Sequence, residues 1–461
     1  MILKNKRVLV VGLGKSGFAA AKFLKKKNVY VKVTDGSSNP WVLDHAKVLR
    51  DLGVWVETGG HTEFFMEGAD LVVTSPGVPK KSLPLQFARR SKIPVISEVE
   101  LASFFCKGAV IAVTGSNGKT TTSHLIYHCL RNAGRKSVLC GNVGYAFLDA
   151  LAEVDRKTIV VLELSSFQLE DCPRFRPRAA VFLNVSPNHL DRHQTLRNYI
   201  RAKMRVFRNQ KSGDFLVANF DDLRVRKAAR KAKSRLIYFS KRPLVEGVYL
   251  ERGRIVVCLN KKKRVLTDPM DFPLRGEHNL ENMLAAAAVC FLFKVPAVWV
   301  KRTFMAFKTL EHRVEPLGSI HGIHFFNDSK STTVESTRAA ILAVPAPVVL
   351  IAGGRDKGAP FHEIERLLLE RVKRVVLYGE ARKKISAAWS RYRHVEMEEE
   401  FKKAVRLAYK KSERDGSILL SPMCASFDQF TSFEQRGEVF KKIFRELKNE
   451  SIRPPKSADS E

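Results

Sequence analysis

Ala109-Val-Ile-Ala-Val113 runs into Thr114-Gly115-Ser116-Asn117-Gly118-Lys119-Thr120-Thr121, and a helix-forming stretch continues to about Arg131. An apolar strand, a glycine loop and a helix start make a phosphate cradle. Backbone N–H groups at the helix N-terminus converge on anionic oxygens, and the helix dipole favours the negative charge. Lys119 can neutralise β/γ oxygens and the Thr120 hydroxyl can hold Mg²⁺. The usual P-loop glycine before this run is Val113, and the glycine falls at 115 instead. Gly115, Ser116, Asn117, Gly118, Lys119, Thr120 and Thr121 are therefore expected to bind ATP.

Strand-like segments lie on both sides of this loop. Thr158–Leu162 ends in Glu163, and Ala179–Leu183 ends in Asn184 and leads to His189-Leu-Asp191-Arg192-His193. A carboxylate and an imidazole at strand ends beside a P-loop are placed to hold Mg²⁺, although Mg²⁺ prefers oxygen and a lone histidine is more often structural. A basic helical segment, Thr195–Arg208, carries Lys203. Towards the N-terminus, Arg7–Val11 reads as a buried strand followed by Gly12-x-Gly14-x-x-Gly17, a helix over Phe18–Lys26, a strand Val29–Val33 ending at Asp35, and Leu71–Thr74 before Ser75. That glycine spacing points to a phosphate or nucleotide without distinguishing NAD from a UDP moiety. Towards the C-terminus come Asn327-Asp328-Ser329-Lys330, then Val348–Ile351 before Gly353-Gly-Arg-Asp-Lys357-Gly358. Arg374–Tyr378 and Ile418–Ser421 follow, the latter before Ala425-Ser426-Phe427. Alternating strands and helices with polar loops at the strand ends predict an α/β protein of three domains. These are an N-terminal Rossmann-like domain (1–97), a central P-loop ATPase-like parallel sheet (98–309) and a C-terminal Rossmann-like domain (310–447). Residues 448–461 read as a disordered tail.

The 461 residues are 45% hydrophobic and 28% charged, which excludes collagenous, disordered and small disulfide-scaffold classes. No apolar run reaches the roughly 18 residues of a membrane helix. The start lacks the apolar core of a signal peptide, and the seven cysteines are scattered without paired spacing. Both features suit a reducing, cytoplasmic setting. Eighty Lys and Arg against 47 Asp and Glu give a net charge of +33. The positive residues fall in separate clusters, Lys25–Lys27, Arg224–Arg235, Lys261–Arg264 and Arg382–Lys384, rather than in one stripe interleaved with aromatics. No specific nucleic-acid partner and no membrane insertion are expected, and a monomer is the working expectation.

Several segments together resemble the Mur ligase family: Thr114–Thr121, Glu163-Leu-Ser-Ser-Phe-Gln168, His189-Leu-Asp-Arg192, Gly276-Glu-His-Asn-Leu-Glu-Asn282, Glu311-His-Arg313, Asn327–Lys330 and Gly353–Gly358. The resemblance spans the chain to about Leu447, and Glu163–Leu169 and Ser421–Phe430 are similar to the branch that adds D-glutamate. It implies ATP-dependent ligation of D-glutamate to UDP-N-acetylmuramoyl-L-alanine through an acyl phosphate, in peptidoglycan synthesis, with ATP and two Mg²⁺. Thr120 and Glu163 would hold one Mg²⁺, and His189 and a carbamylated Lys203 the other. Asn279, Asn282, Arg313 and Asp328 would contact ATP. Gly14, Lys15, Asp35, Ser75 and Asn142 would bind the UDP substrate, and Thr332, Lys357, Ser426, Phe427 and Phe433 D-glutamate. Lys119, Glu163, His189 and Lys203 would carry the chemistry. The alternatives are another Mur ligase, a folylpolyglutamate synthase-like ligase, a NAD-dependent dehydrogenase and a basic nucleic-acid-binding P-loop ATPase. The dehydrogenase leaves Gly115–Thr121 idle. A folate substrate leaves the N-terminal unit with no UDP to hold.

Overall fold

Three sheets form in chain order. The computed structural model describes residues 3–274, 276–307 and 310–452. The first sheet takes β1 (Arg7–Val11), β2 (Tyr30–Asp35), β3 (Trp55–Thr58), β4 (Leu71–Thr74) and β5 (Val95–Ser97) in the all-parallel order β3-β2-β1-β4-β5. The order reverses between β1 and β4, so the Gly12–Gly17 loop opens at the switch point, where such sheets bind ligands. Gly17 is required there, since a Cβ would lie 1.8 Å from the Gly12 carbonyl oxygen.

The second sheet comprises β6 (Ala109–Thr114), β7 (Ser137–Gly141), β8 (Ile159–Glu163), β9 (Ala179–Phe182), β10 (Phe215–Asn219), β11 (Arg235–Ser240), β12 (Gly247–Glu251), β13 (Arg254–Leu259) and β14 (Lys262–Thr267), in the order β14-β13-β12-β11-β10-β9-β6-β8-β7. Seven strands are parallel. The last two return antiparallel as a ribbon, so the expected parallel sheet is mixed at one edge. Strands β6, β8 and β9 are buried along almost their whole length, which is why they read as continuous apolar runs. The ribbon was not legible because β14 is Lys-Lys-Arg-Val-Leu-Thr, mostly exposed and charged.

The third sheet holds β15 (Glu315–Ile320), β16 (Ile323–Asn327), β17 (Val348–Gly353), β18 (Val372–Tyr378), β19 (Val395–Met397) and β20 (Ser417–Met423), in the order β15-β16-β20-β17-β18-β19, with only β15 antiparallel. Alternate residues of its central strands feed two cores. Leu350, Ala352 and Leu419 enter one, and Val349, Ile351 and Leu420 enter the other.

Among the described residues the chain falls into two units: Met1–Val185, Thr195–Phe272 and Leu280–Ala306, and Ser186–Gln194, Pro273–Asn279 and Phe307–Glu461. Within the first unit one apolar cluster runs from Val8 and Val10 to Leu216 and Ala218, joining the first two sheets, and Phe23 meets Phe105 edge-on at 4.9 Å. Ser97 caps the helix Glu98–Phe105 by accepting from the Glu100 N–H at 3.1 Å.

The last helix, Phe433–Ile452, corrects the tail boundary. It continues past Lys448 because Phe440, Ile443, Phe444 and Leu447 pack into the core and Arg406 pairs with Glu446 and Glu450 at 3.2 and 3.0 Å. Residues 453–461 lie outside the described residues.

Candidate active site

The P-loop closes on the end of β9. Asn184, the second residue past that strand, gives its backbone oxygen to the Ser116 N–H (3.0 Å) and its side-chain oxygen to the Asn117 N–H (2.8 Å). Its amide donates back to the Asn117 carbonyl at 3.2 Å. Gly118 begins the helix Lys119–Asn132 in the left-handed region at φ 81°, and a Cβ there would meet Asn282 Oδ1 at 2.1 Å. Asn282, buried, also accepts from the Thr122 hydroxyl at 3.2 Å. Gly118→Ala is therefore expected to cost about 1–2 kcal/mol in backbone strain alone, displace Asn282 and weaken nucleotide binding. Thermal unfolding and ATP titration of the variant check both effects.

Two lysines share one carbonyl. Lys119 Nζ donates to the Gly115 and Ser116 oxygens at 3.0 and 2.8 Å, and Lys203 Nζ donates to the same Gly115 oxygen at 2.7 Å. Lys203 is fully buried on the helix Leu196–Arg208 and lies over the Tyr199 ring at 4.6 Å, whose hydroxyl meets Ser116 Oγ at 3.1 Å. Burial, and then the Lys119 charge, hold the Lys203 amine far below its ordinary value, with the Glu163 carboxylate opposing them. Glu163 ends β8 and is 1% exposed. One of its oxygens accepts from Asn142 Nδ2 at 2.7 Å, and the other, Oε2, is buried without a partner. A buried carboxylate oxygen without a hydrogen-bond partner, whose charge reaches the Lys203 amine, is a hard oxygen donor that fits Mg²⁺. Asn142, expected at the substrate, here orients Glu163. Among the described residues there is no group of three or more His, Cys, Asp and Glu that could hold a metal ion.

In the first sheet, Asp35 accepts from the backbone N–H of Leu13 and Ser37, so it ties the glycine loop. Ser75 Oγ donates to the Gly12 carbonyl at 2.8 Å. Gly14 caps the helix Lys15–Lys26 in extended conformation, and burial lowers the Lys15 amine against the opposing charges of Glu98 and Asp149.

The second unit brings His189, Thr332 and Lys357 to one small cavity, with Pro187, Glu335 and Met423 also in its wall. Burial lowers the Lys357 amine and the Asp191 carboxylate opposes that shift. Ser426, Phe427 and Phe433 are not in the wall. Ser426 is buried, Phe427 is 58% exposed, and the Phe433 ring lies 3.6 Å from Lys330 Nζ.

Arg313 sits in a strained turn, with His312 at φ 61° and Val314 at φ 48°. Glu315 accepts from the His312 N–H (2.9 Å) and Asp328 from the Val314 N–H (3.2 Å). Lys441, unmarked in the sequence, anchors Glu315 at 2.9 Å and also reaches Glu311 and Glu438. Beside Asn279, burial and then the charge of Arg313 push His278 down to about 4. Burial raises Asp328 to about 7, although Ser421 donates to it at 2.7 Å. A raised acid keeps its proton in the fold while the unfolded chain loses it. Asp328 therefore stabilises less as pH climbs from about 4 through 7, and its contribution is level above that. Comparing the thermal stability of wild type and Asp328→Asn from pH 4.5 to 8 should show a shallower fall in the variant. Parallel curves would refute the assignment.

Comparison with known proteins bears on this geometry. The Mur ligase MurD-like N-terminal domain matches residues 6–97, the Mur ligase middle domain 113–290 and the Mur ligase glutamate ligase domain 312–424. The UDP-N-acetylmuramoylalanine--D-glutamate ligase of Koribacter versatilis is 42% identical over 448 residues, covering 97% of this chain and 99% of that protein. The enzyme of the same name from Thermoanaerobacter pseudethanolicus is 40% identical over 453 residues, covering 97% and 100%. Among solved structures, the UDP-N-acetylmuramate-alanine ligase of Thermotoga maritima superposes with TM-score 0.60 at 18% identity, over 96% of this chain and 100% of that one. With three family domains in sequence and curated relatives aligned end to end, this chain belongs to the Mur ligase family.

Proposed function

We propose that this chain ligates D-glutamate to UDP-N-acetylmuramoyl-L-alanine in the cytoplasm, converting ATP to ADP and phosphate. The observation that carries this reading is similarity at 40–42% identity across 97% of the chain to D-glutamate ligases. The geometry supplies matching chemistry. A carboxylate oxygen of the alanyl substrate attacks the γ-phosphorus, ADP leaves, and an acyl phosphate forms. The D-glutamate amine, free of its extra proton, attacks the acyl carbon, and the tetrahedral intermediate expels phosphate. Phosphoryl transfer between anions needs charge neutralisation and alignment more than covalent help from the protein.

Lys119 and the loop Gly115–Thr121 bind the triphosphate, with Asn279, Asn282, Arg313 and Asp328 on the nucleotide side. Thr120 and Glu163 would hold one Mg²⁺, and His189 with a carbamylated Lys203 would hold the other. Bound Mg²⁺ neutralises the charge shared by phosphate and carboxylate. Gly14, Lys15, Asp35, Ser75 and Asn142 serve the UDP substrate, and Thr332, Lys357, Ser426, Phe427 and Phe433 serve D-glutamate. The corresponding domains are 1–97, 98–309 and a third that begins at 310 and runs through the helix ending at Ile452. No helix among the described residues is long and apolar enough to cross a membrane.

Phosphate release from ATP in the presence of UDP-N-acetylmuramoyl-L-alanine, with amino acids supplied one at a time, tests the reading. D-Glutamate should stimulate release and L-glutamate should not. Stimulation by L-alanine or a diamino acid instead would assign a different member of the family.

A further inference from the structure

Arg436 is the largest fully buried side chain among the described residues. Its guanidinium donates to Ser329 Oγ (3.0 Å), the Ser329 carbonyl (2.8 Å), the Tyr378 hydroxyl (3.0 Å) and the Cys424 carbonyl (3.3 and 3.4 Å). Every partner is neutral, and among the described residues no carboxylate lies within ion-pairing distance. A buried arginine is normally paired with an acid, because an uncompensated charge away from water is costly.

The location gives the missing anion a chemistry. Ser329 precedes Thr332 by three residues, Cys424 precedes Ser426 by two, and Tyr378 ends β18. A Cβ on Gly354, in the loop that carries Lys357, would lie 3.3 Å from Arg436 Nη1. Arg436 thus sits behind the junction of the loops that bear the candidate glutamate-binding groups. Its charge also reaches Lys357, whose amine it helps to depress. Two cations share this neighbourhood; Asp191 acts on Lys357, and the charges of Asp356 and Asp428 reach Cys424 and that of Asp428 reaches Tyr378, without an ion pair to Arg436.

We infer that Arg436 is a specificity-determining positioning residue: its charge, hydrogen-bonded only to neutral groups, together with Lys357, matches the site to an amino acid with two carboxylates. This rests on the D-glutamate reading above. Arg436 does not touch the substrate in this account. It fixes the carbonyls of Ser329 and Cys424, and it supplies a field that a dianion compensates and a monoanion compensates only in part.

The test compares wild type, Arg436→Gln and Arg436→Lys with D-glutamate and D-glutamine as amine substrates or, for D-glutamine, as a competing ligand. Arg436→Gln keeps donors for the carbonyls but removes the charge. It should raise KM for D-glutamate about tenfold or more, as expected for a unit charge several ångströms away. KM for ATP should stay within about twofold, and the preference for D-glutamate over D-glutamine should shrink. Arg436→Lys keeps the charge and should retain most of that preference even where stability falls. Parallel losses on both amino acids in Arg436→Gln would make the residue a structural staple and overturn the inference. If Arg436→Gln does not fold, Arg436→Lys decides, and collapse of its D-glutamate preference overturns the inference. A wild-type protein that does not use D-glutamate would reject the functional reading itself, which is a separate outcome.

Discussion

Lys203→Ala is expected to lose about a thousandfold or more in kcat/KM, and formate or acetate to restore part of it. The amines of Lys119 and Lys203 meet on the Gly115 carbonyl, and two ammonium charges that close repel each other. Lys119 is fixed by a second carbonyl and Lys203 is fully buried, so burial and the Lys119 charge both favour loss of the Lys203 proton. A neutral amine is the form that adds CO₂: Nζ attacks the carbon, one proton departs, and a carbamate remains. The product carries oxygens and a negative charge beside the Lys119 cation and suits Mg²⁺ as a ligand. Intact-protein mass in bicarbonate buffer should show the added CO₂ on wild type and not on Lys203→Ala. An alanine variant with near-normal turnover, or one that formate leaves inert, would sink the carbamate assignment.

Lys357→Ala is expected to raise KM for D-glutamate about a hundredfold while changing KM for ATP several-fold at most. D-Glutamate brings two carboxylates, and a closed site needs donors and a cation for them. Lys357 shares a cavity wall with Thr332 and His189, and burial already weakens its hold on its proton. An arriving carboxylate reverses that by favouring the ammonium. The rival reading gives the lysine to an ATP phosphate, which a point-charge ammonium suits equally well. An equal or larger penalty on ATP would select the rival. The same geometry excludes L-glutamate, since inversion at the α-carbon cannot keep both carboxylates on their donors and still direct the amine at the acyl phosphate.

The strand ends were legible because parallel strands buried on both faces read as unbroken apolar runs, and glycines or carboxylates punctuate them. Arg7–Val11 and Leu71–Thr74 were read to the residue, and β6, β8, β9, β17, β18 and β20 were each placed within two residues at either end. Short strands such as β5 and β19 carry too few residues to show a period. Glu163 was legible as a carboxylate at a strand end beside the P-loop and Lys203 only through resemblance, but the shared carbonyl that gives Lys203 its character was not, since residues 115 and 203 meet only through the fold. Arg436 and Lys441 looked like two more cations in a chain with eighty Lys and Arg. Burial distinguishes them, and burial is a tertiary property. Asn184 stood in view at the end of a strand beside the P-loop strand, which was the available signal for its role.

The ribbon β12–β14 ends the longest sheet in an unpaired strand, which would ordinarily offer its amides and carbonyls to any passing chain. Here that border reads Lys262-Lys263-Arg264, with Lys261 in the turn before it, all exposed. A second copy docking edge to edge would bring this row of cations near its own duplicate, and their repulsion opposes the pairing. Part of the large positive excess thus acts as insulation. It lets a nine-stranded sheet exist at high concentration without recruiting a tenth strand from a neighbour.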